Sequence, residues 1–162
     1  MQALAKISVS DFIEWAESKA HLLEQSIYTQ DYKRLVVPLG YKLISVKPLK
    51  YVKAHTDARM DKLASRFCPN WKLSLLCKYA KGGGVKSHRD ASIYGSRAFV
   101  VSSTDYLFII DGLEHKCKGG VIYEFNSKKL HSVPPLADQR WALIWWESSK
   151  ILDAQQAQLS LF

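Results

Sequence analysis

The sequence predicts an α+β fold in which two helices precede a block of short strands that forms a sandwich or barrel. Apolar residues recur at helical spacing in two segments before residue 70. From Trp71 onward, short apolar runs alternate with turn residues, which favours antiparallel layers over a parallel sheet. The chain has 162 residues, enough for one domain that buries a core without disulfides. We expect a helical, basic part over 1–70, a strand core over 71–147 and a tail over 148–162.

The first helix is expected over 11–25. Either Ser10 or Asp11 can cap it, and Glu14 follows Asp11 at capping-box spacing. Its apolar stripe comprises Phe12, Trp15, Ala16, Leu22 and Leu23.

Two short strands are expected in the basic stretch 32–53, separated by a turn at residues 38–40. A second helix follows over 57–67, where Met60, Leu63, Ala64 and Phe67 share a face. Because both helices precede the strand block, we expect them to support one sheet from outside.

The strand block contains several glycine-rich turns, and we expect the segment around His115 to be a charged loop. The Gln- and Ala-rich tail favours a short helix. The expected strands are 71–79, 85–90, 97–103, 105–110, 121–125, 131–133 and 140–147.

Cysteine content and the first 30 residues indicate a cytoplasmic protein. The three cysteines, Cys68, Cys77 and Cys117, are odd in number and form no C-x-x-C pair, which argues against a disulfide framework or zinc ribbon. The first 30 residues contain two basic and four acidic residues and no long apolar run. We therefore expect neither a signal peptide nor a membrane anchor.

Positive charge is concentrated in one part of the chain. Residues 32–90 contain 14 Lys/Arg and three Asp/Glu, a net charge of +11, whereas the rest has a net charge of −3. Such asymmetry is typical of a polyanionic partner, although a solvated basic surface is an equal alternative. Aromatic residues interleaved with the cations suit single-stranded nucleic acid, and core packing is the alternative for each of them. They are Tyr32, Tyr41, Tyr51 and Trp71.

The segment Ser87-His88-Arg89-Asp90 holds the strongest candidate for a metal site. Residues two apart on a strand share a face, so His88 and Asp90 would project together. One more histidine would complete a two-His, one-carboxylate triad, which suits non-haem Fe(II) because it leaves coordination positions open. A kinase catalytic loop is excluded, because no Asp-Phe-Gly or Gly-rich phosphate loop accompanies the tripeptide.

The second histidine is one of His21, His55, His115 and His131. We favour His131, because Arg140 follows nine residues later on the next apolar strand. A guanidinium there could bind a carboxylate with two parallel hydrogen bonds. Taken singly, a packing histidine and a surface arginine are the commoner roles for such residues.

These residues together resemble the 2-oxoglutarate dioxygenase superfamily over residues 70–147. Tyr79 precedes His88 by nine residues with a Gly-rich turn between them, as in the AlkB and prolyl-hydroxylase branches. His131 followed by Arg140 resembles the distal histidine and the basic residue after it. His88-Arg89-Asp90 with the later 95–101 segment is also similar to the family that oxidises 5-methylpyrimidines in DNA.

The resemblance implies a jelly-roll core, also called a double-stranded β-helix. It implies Fe(II) bound by His88, Asp90 and His131, with 2-oxoglutarate chelating the iron and its distal carboxylate meeting Arg140 and Tyr79. The implied reaction is hydroxylation or oxidative demethylation, and a DNA or RNA base that is single-stranded or flipped out is the favoured substrate. A hydroxylase of a protein side chain or small molecule is one alternative, and a non-catalytic nucleic-acid-binding jelly roll is another.

Three positions depart from the bacterial AlkB repair enzymes. Cys77 stands where those enzymes have Asn before the tyrosine, Ser92 where they have a second acidic residue, and Trp146 where they have a second arginine. If the last strand is unbroken, Arg140 and Trp146 share a face, so that Trp146 would form a wall of the cosubstrate pocket.

Overall fold

A computed structural model describes residues 1–151, which contain two α-helices, one 3₁₀ turn and eleven strands. No described helix is long and apolar enough to span a lipid bilayer. The elements are β1 (Gln2–Lys6), α1 (Val9–Ser18), the 3₁₀ turn (Ala20–Leu22), β2 (Glu24–Gln25), β3 (Asp31–Ser45), β4 (Lys50–Lys53), α2 (Ala58–Ser65), β5 (Trp71–His88), β6 (Arg97–Ser102), β7 (Tyr106–Ile110), β8 (Leu113–Cys117), β9 (Val121–Asn126), β10 (His131–Val133) and β11 (Arg140–Glu147).

The strands form two facing antiparallel layers joined by the long strand β5. The order is β1-β9-β6-β11-β5-β10-β7-β8, and β3 pairs with the remaining edge of β5. The first part of β5 pairs with β11, and its last part pairs with β10. Buried side chains from both layers meet in one apolar cluster. This arrangement confirms the predicted jelly-roll core.

The turn expected at Gly82–Gly84 is instead a bend within β5. A Cβ on Gly83 would lie 2.7 Å from the Lys33 carbonyl oxygen, and one on Gly84 would lie 2.5 Å from the Val133 carbonyl oxygen. Only glycine lets β3 and β10 approach the bend so closely. The prediction of two separate strands, 71–79 and 85–90, was therefore wrong, and the strand ends at His88.

The helices cover the outer face of the larger layer, as predicted. Phe12, Trp15 and Met60 pack in a second apolar cluster with residues of β5, β6 and β11. The N-cap of α1 is Ser8 rather than Ser10 or Asp11, because its Oγ accepts from the Asp11 N–H at 3.2 Å.

α1 ends at Ser18 and not at residue 25, because a 3₁₀ turn and β2 occupy the remainder of the expected helix. Asp57 accepts hydrogen bonds from the Met60 N–H at 2.9 Å and from Trp15 Nε1 at 3.1 Å. It therefore caps α2 and ties the two helices together.

Two expected irregular segments are strands. β3 runs through Pro38, which pairs with Leu75 of β5 on one side. On the other side Pro38 pairs with neither β2 nor β4, so its missing N–H removes no hydrogen bond to those strands. The expected charged loop around His115 is β8, which forms a hairpin with β7 through Asp111-Gly112. Strand β1 was not predicted. The short helix predicted in the tail falls largely on 152–162, outside the described residues.

Candidate metal centre

Three candidate ligands lie together at one end of the space between the two layers. His88 is the last residue of β5, and His131 is the first residue of β10, directly opposite it in the register. Asp90 lies in the loop two residues beyond His88 rather than on the same strand face. Their potential ligand atoms all lie within 4.8 Å of one another, and within residues 1–151 no other His, Cys, Asp or Glu group has this arrangement.

The three side chains converge on a single point. Oδ1 of Asp90 lies 3.2 Å from Nε2 of His88 and 3.6 Å from Nε2 of His131. The two imidazole centroids are 4.3 Å apart. Two nitrogens and one oxygen so arranged could hold a cation from one side and would leave coordination positions open.

Backbone carbonyls orient both imidazoles in the same way. Nδ1 of His88 lies 2.8 Å from the carbonyl oxygen of Lys86, and Nδ1 of His131 lies 2.8 Å from that of Lys129. A carbonyl only accepts, so each Nδ1 carries a proton and each Nε2 is the nitrogen turned toward the shared point, where that of His88 lies within hydrogen-bond distance of Asp90 Oδ1. Nε2 is therefore the nitrogen that each ring would offer to a metal.

The loop that carries Asp90 is tied down by three neighbours. Oδ2 of Asp90 accepts from Trp146 Nε1 at 2.9 Å, so Oδ1 is the oxygen left for a ligand. The Asp90 N–H donates to the carbonyl oxygen of Ser127 at 3.0 Å. The Lys128 ammonium donates to the carbonyl oxygens of Asp90, Ala91 and Tyr94 at 3.2, 2.8 and 2.8 Å.

An aromatic shell excludes water from the second histidine. His131 is 4% exposed, with Phe108 stacked on its ring at 5.8 Å and Phe125 edge-on at 5.1 Å. Burial lowers the pKa of His131, although the Asp90 carboxylate opposes the shift. Burial also acts to lower the pKa of His88, but its hydrogen bonds to Asp90 and to the Lys86 carbonyl, together with the charges of Asp90 and Asp31, raise it overall. Metal binding would therefore displace a proton more readily from His131 than from His88.

The other three candidate histidines lie outside this cluster. His115 is on β8, where it pairs with Phe108, and His21 is in the 3₁₀ turn. His55 is exposed and follows β4. The structure therefore brings together the favoured set of His88, Asp90 and His131, and leaves the alternatives apart.

A cavity of about 270 Å³ extends from the three ligands toward a buried guanidinium. Arg140 begins β11 opposite Tyr79 of β5, and Tyr79 lies opposite Arg34 of β3, so the three residues form one row across the layer. Arg140 Cζ lies 4.0 Å from the centroid of the Tyr79 ring and 5.1 Å from that of Tyr106.

Arg140 is 3% exposed, yet little of its hydrogen-bonding capacity is used. Its Nη1 donates to Ser102 Oγ at 3.3 Å, whereas Nε and Nη2 are buried without a hydrogen-bond partner among the described residues. No carboxylate pairs with it among the described residues. Such a group is costly to bury, so its position indicates a site for an anion.

The residues that differ from bacterial AlkB enzymes have distinct positions. Trp146 shares a face with Arg140 and lines the cavity, as its sequence position predicted, and it also donates a hydrogen bond to Asp90, which was not predicted. Cys77 is buried and also lines the cavity. Ser92 is exposed and accepts from Lys150 Nζ at 2.9 Å, apart from the three ligands.

Three further residues line or border the cavity that no sequence pattern had indicated: Arg34, Ser102 and Tyr106. Arg34 lay in the basic stretch, where nothing distinguished it from the exposed cations. The signal available for Tyr106 was its inward position on an alternating strand.

No family model matches the sequence, and no curated protein matches it. Solved structures share its fold at low sequence identity. OsALKBH1 superposes with a TM-score of 0.64 at 12% identity, covering 86% of this chain and 91% of that one. A Pseudomonas putida prolyl-4-hydroxylase gives 0.60 at 16% identity, covering 93% and 92%. A Burkholderia pseudomallei oxidoreductase of the 2OG-Fe(II) oxygenase family gives 0.57 at 13% identity, covering 86% and 78%. The fold implied by the resemblance is therefore confirmed.

Proposed function

We propose that this protein is an Fe(II)- and 2-oxoglutarate-dependent dioxygenase. His88, Asp90 and His131 would hold the iron, and Arg140 with Tyr79 would bind the distal carboxylate of 2-oxoglutarate. The observation that carries the proposal is the buried, largely unpaired Arg140 in the same cavity as the three converging ligands. A metal site alone has many uses, whereas a metal site facing a buried cation fits a chelating dicarboxylate.

The ligand set fits iron. Two imidazoles and one carboxylate on one face are typical of non-haem Fe(II) oxygenases, in which the open positions take cosubstrate and oxygen. The hydrogen bonds at His88 Nδ1, His131 Nδ1 and Asp90 Oδ2 are the outer contacts that hold such ligands in place.

The far end of the cavity fits a carboxylate. Two nitrogens of Arg140, Nε and Nη2, have no acceptor among the described residues, and the Tyr79 hydroxyl belongs to the same row of side chains. An incoming carboxylate would accept charge-assisted hydrogen bonds and neutralise the guanidinium. This fit extends the proposal from metal binding to cosubstrate binding.

When bound, iron and 2-oxoglutarate would supply the oxidation of a C–H bond by molecular oxygen. The protein would supply ligands, orientation and a dry pocket. Ala142, Ile144 and Trp146 line the cavity along β11, whereas Leu143 and Trp145 face the helices. The face of β11 that carries Arg140 is therefore the one that excludes water.

A base in DNA or RNA is the substrate that we favour. The charge of +11 over 32–90 would attract phosphates. Arg89, between two of the proposed ligands, is exposed and lines the cavity. Lys47, Lys50 and Lys53 are exposed in and beside the hairpin formed by β3 and β4, whose Val46 also lines the cavity.

The aromatic residues of the basic stretch give less support to this substrate. Tyr41 and Tyr51 pack edge-on against each other at 5.8 Å. Both are partly buried against the core, and Trp71 packs against the second apolar cluster. Core packing is thus the better description of these three, and the case for nucleic acid depends on charge.

A protein side chain is the second candidate substrate. The β3–β4 hairpin exposes four apolar side chains, which suit an extended peptide better than a phosphate backbone. They are Ile44, Val46, Leu49 and Val52, between 37% and 49% exposed.

The first experiment adds Fe(II) and 2-oxoglutarate without oxygen and records the visible spectrum. A weak charge-transfer band is expected, and it should disappear in His131→Ala but persist in His115→Ala, whose histidine lies outside the cluster. Folded wild-type protein without the band would rule out the proposal and favour a non-catalytic module.

The second experiment measures succinate formation with methylated oligonucleotides and with peptides. Stimulation by oligonucleotides that falls steeply with salt would support a nucleic-acid substrate. Stimulation by peptides alone would favour the second candidate.

A further inference from the structure

A second buried guanidinium adjoins the Arg140 end of the cavity. Arg34 lies on β3, and its side chain is 8% exposed. Its Nη1 donates to the Tyr79 hydroxyl at 3.1 Å, and its Nη2 forms an ion pair with Asp31. Its Cζ lies 5.6 Å from the Tyr79 centroid, so the Tyr79 side chain is flanked by Arg34 and Arg140.

The direction of the bond between Arg34 and Tyr79 is fixed by chemistry. A guanidinium has no acceptor, so the Tyr79 oxygen accepts and its single proton remains unused by Arg34. No described residue accepts that proton. Burial raises the pKa of Tyr79 even though Arg34 and Arg140 oppose the shift, so the hydroxyl is protonated near neutral pH.

Arg34 differs from Arg140 in how its charge is balanced. Asp31, whose side chain is 2% exposed, neutralises Arg34, whereas no described carboxylate neutralises Arg140. An anion in the cavity would therefore find its charge partner in Arg140. Arg34 is placed to act on that anion through Tyr79.

We infer that Arg34 is a positioning residue for the cosubstrate: by donating to the Tyr79 oxygen, it turns the Tyr79 proton toward the distal carboxylate held by Arg140. This inference rests on the proposed function and assigns a part of its site to a strand that precedes the jelly-roll core. The Tyr79 hydroxyl would then donate its proton in one fixed direction, and the buried ion pair of Arg34 with Asp31 would serve to hold the donor to Tyr79 in place.

A purely structural role for Arg34 makes a different prediction. If the pair with Asp31 only fastens β3 to β5, its loss would weaken every ligand of the cavity equally. A positioning role affects only ligands that reach Tyr79 and Arg140. 2-Oxoglutarate reaches both ends, whereas oxalate chelates a metal but has no distal carboxylate.

The test measures the affinities of both ligands by calorimetry on Mn(II)-loaded protein, which binds without turnover. The double variant Asp31→Asn/Arg34→Met removes the pair without leaving a buried charge, and Asp31→Asn alone is the matched control. We expect the double variant to bind 2-oxoglutarate about 10- to 100-fold more weakly, the value of one hydrogen bond in a charged network. Oxalate affinity should change less than about twofold, within the usual scatter for a site without direct contact.

A cycle with Tyr79→Phe separates positioning from any direct effect of charge. If Arg34 acts through the Tyr79 hydroxyl, Asp31→Asn/Arg34→Met should cost little more once that hydroxyl is gone. Should the double variant fail to fold, as judged by thermal unfolding, Arg34→Lys retains the charge beside Asp31 but replaces the separate nitrogens that bind Tyr79 and Asp31 with a single one, and the same selective loss is expected.

Equal weakening of both ligands, an unchanged 2-oxoglutarate affinity, or a loss that adds fully to that of Tyr79→Phe would overturn the inference. Wild-type protein that binds oxalate but not 2-oxoglutarate would overturn the proposed function, and the inference with it. Failure of Arg34 alone leaves strong 2-oxoglutarate binding in the wild type, so the two failures are distinguishable.

Discussion

At the proposed metal end of the cavity, each candidate ligand side chain has its outer polar atom hydrogen-bonded to the protein, whereas at the opposite end two buried nitrogens of Arg140 have no partner among the described residues. The outer bonds, at His88 Nδ1, His131 Nδ1 and Asp90 Oδ2, measure 2.8, 2.8 and 2.9 Å. The one hydrogen bond that the Arg140 guanidinium donates within the described residues, to Ser102 Oγ, measures 3.3 Å.

The difference shows how each end relates to its ligand. Atoms at the metal end are held in a geometry that a cation can enter with little rearrangement. The guanidinium is held by packing against Tyr79 and Tyr106, and its hydrogen bonds are left to be completed by an anion. Changes at the metal end should therefore abolish metal binding, and changes at the guanidinium end should separate cosubstrate binding from metal binding.

The largest effect is expected from His131→Ala. It removes one of three ligands, so metal affinity should fall by more than about 100-fold, beyond the range for losing an outer contact alone. Anaerobic titration with Fe(II) and calorimetry with Mn(II) measure it. His115→Ala is the matched control, and equal losses in both variants would contradict the assignment of His131.

Arg140→Met should have the next largest effect: it should weaken the binding of 2-oxoglutarate and raise the stability of the ligand-free protein. The affinity for 2-oxoglutarate should fall by about 100-fold or more, because two charge-assisted hydrogen bonds are lost. The free energy of unfolding without ligand should rise by about 1 kcal/mol, because an unpaired buried charge is replaced by an apolar chain. Mn(II) affinity should stay unchanged.

Thermal unfolding and calorimetry measure these effects. Arg97→Met is the control, because this exposed arginine pairs with Glu124 and lies over the Phe99 ring, and its loss should change stability by about 1 kcal/mol or less. A clear loss of stability in Arg140→Met would show that Arg140 already has a stabilising partner in the ligand-free protein.

Trp146→Phe should have a smaller effect at the metal end. It keeps an aromatic wall but removes the N–H that fixes Asp90 Oδ2. Metal affinity should fall by about 10- to 100-fold, as for outer contacts of other metal sites.

Trp145→Phe is an unusually close control for that change. The neighbouring indole is fully buried on the other face of β11, and its Nε1 has no hydrogen-bond partner among the described residues. Metal affinity should not change in this variant. Equal losses in both variants would mean that the indole volume matters and the hydrogen bond does not.

The candidate site was predictable where its signal was local. His88 and Asp90 are two residues apart, and His131 with Arg140 opens two successive strands. The alternation along β11 placed Trp146 on the same face as Arg140. The iron and cosubstrate roles came from resemblance to a superfamily.

The site residue Arg34 could not be predicted, because its position depends on the pairing of strands that are distant in sequence. Arg34 becomes a cavity residue only because β3 runs through Pro38 and pairs with β5 in a register that sets it opposite Tyr79. No local pattern encodes that register. β8, in contrast, has a local signal, because Asp111-Gly112 is typical of a two-residue hairpin turn. The charged residues that follow led to the wrong prediction of a loop.

The smallest effect is expected from Lys128→Met, because Lys128 contacts the backbone of the Asp90 loop and none of the proposed ligand side chains. Its ammonium holds three carbonyls of the loop that carries Asp90, so its loss should loosen the loop without removing any contact of a ligand side chain. We expect metal affinity to fall by about three- to tenfold, below the range for a direct outer contact. The Tyr94 amide, which donates to Ala91 at 3.1 Å, should exchange its hydrogen faster. Lys129→Met is the control, because within residues 1–151 the ammonium of that exposed lysine pairs with Asp111 and not with the loop. If the Tyr94 amide exchanges at the same rate in both variants, the backbone hydrogen bonds hold the loop and the Lys128 contacts are not needed to position Asp90.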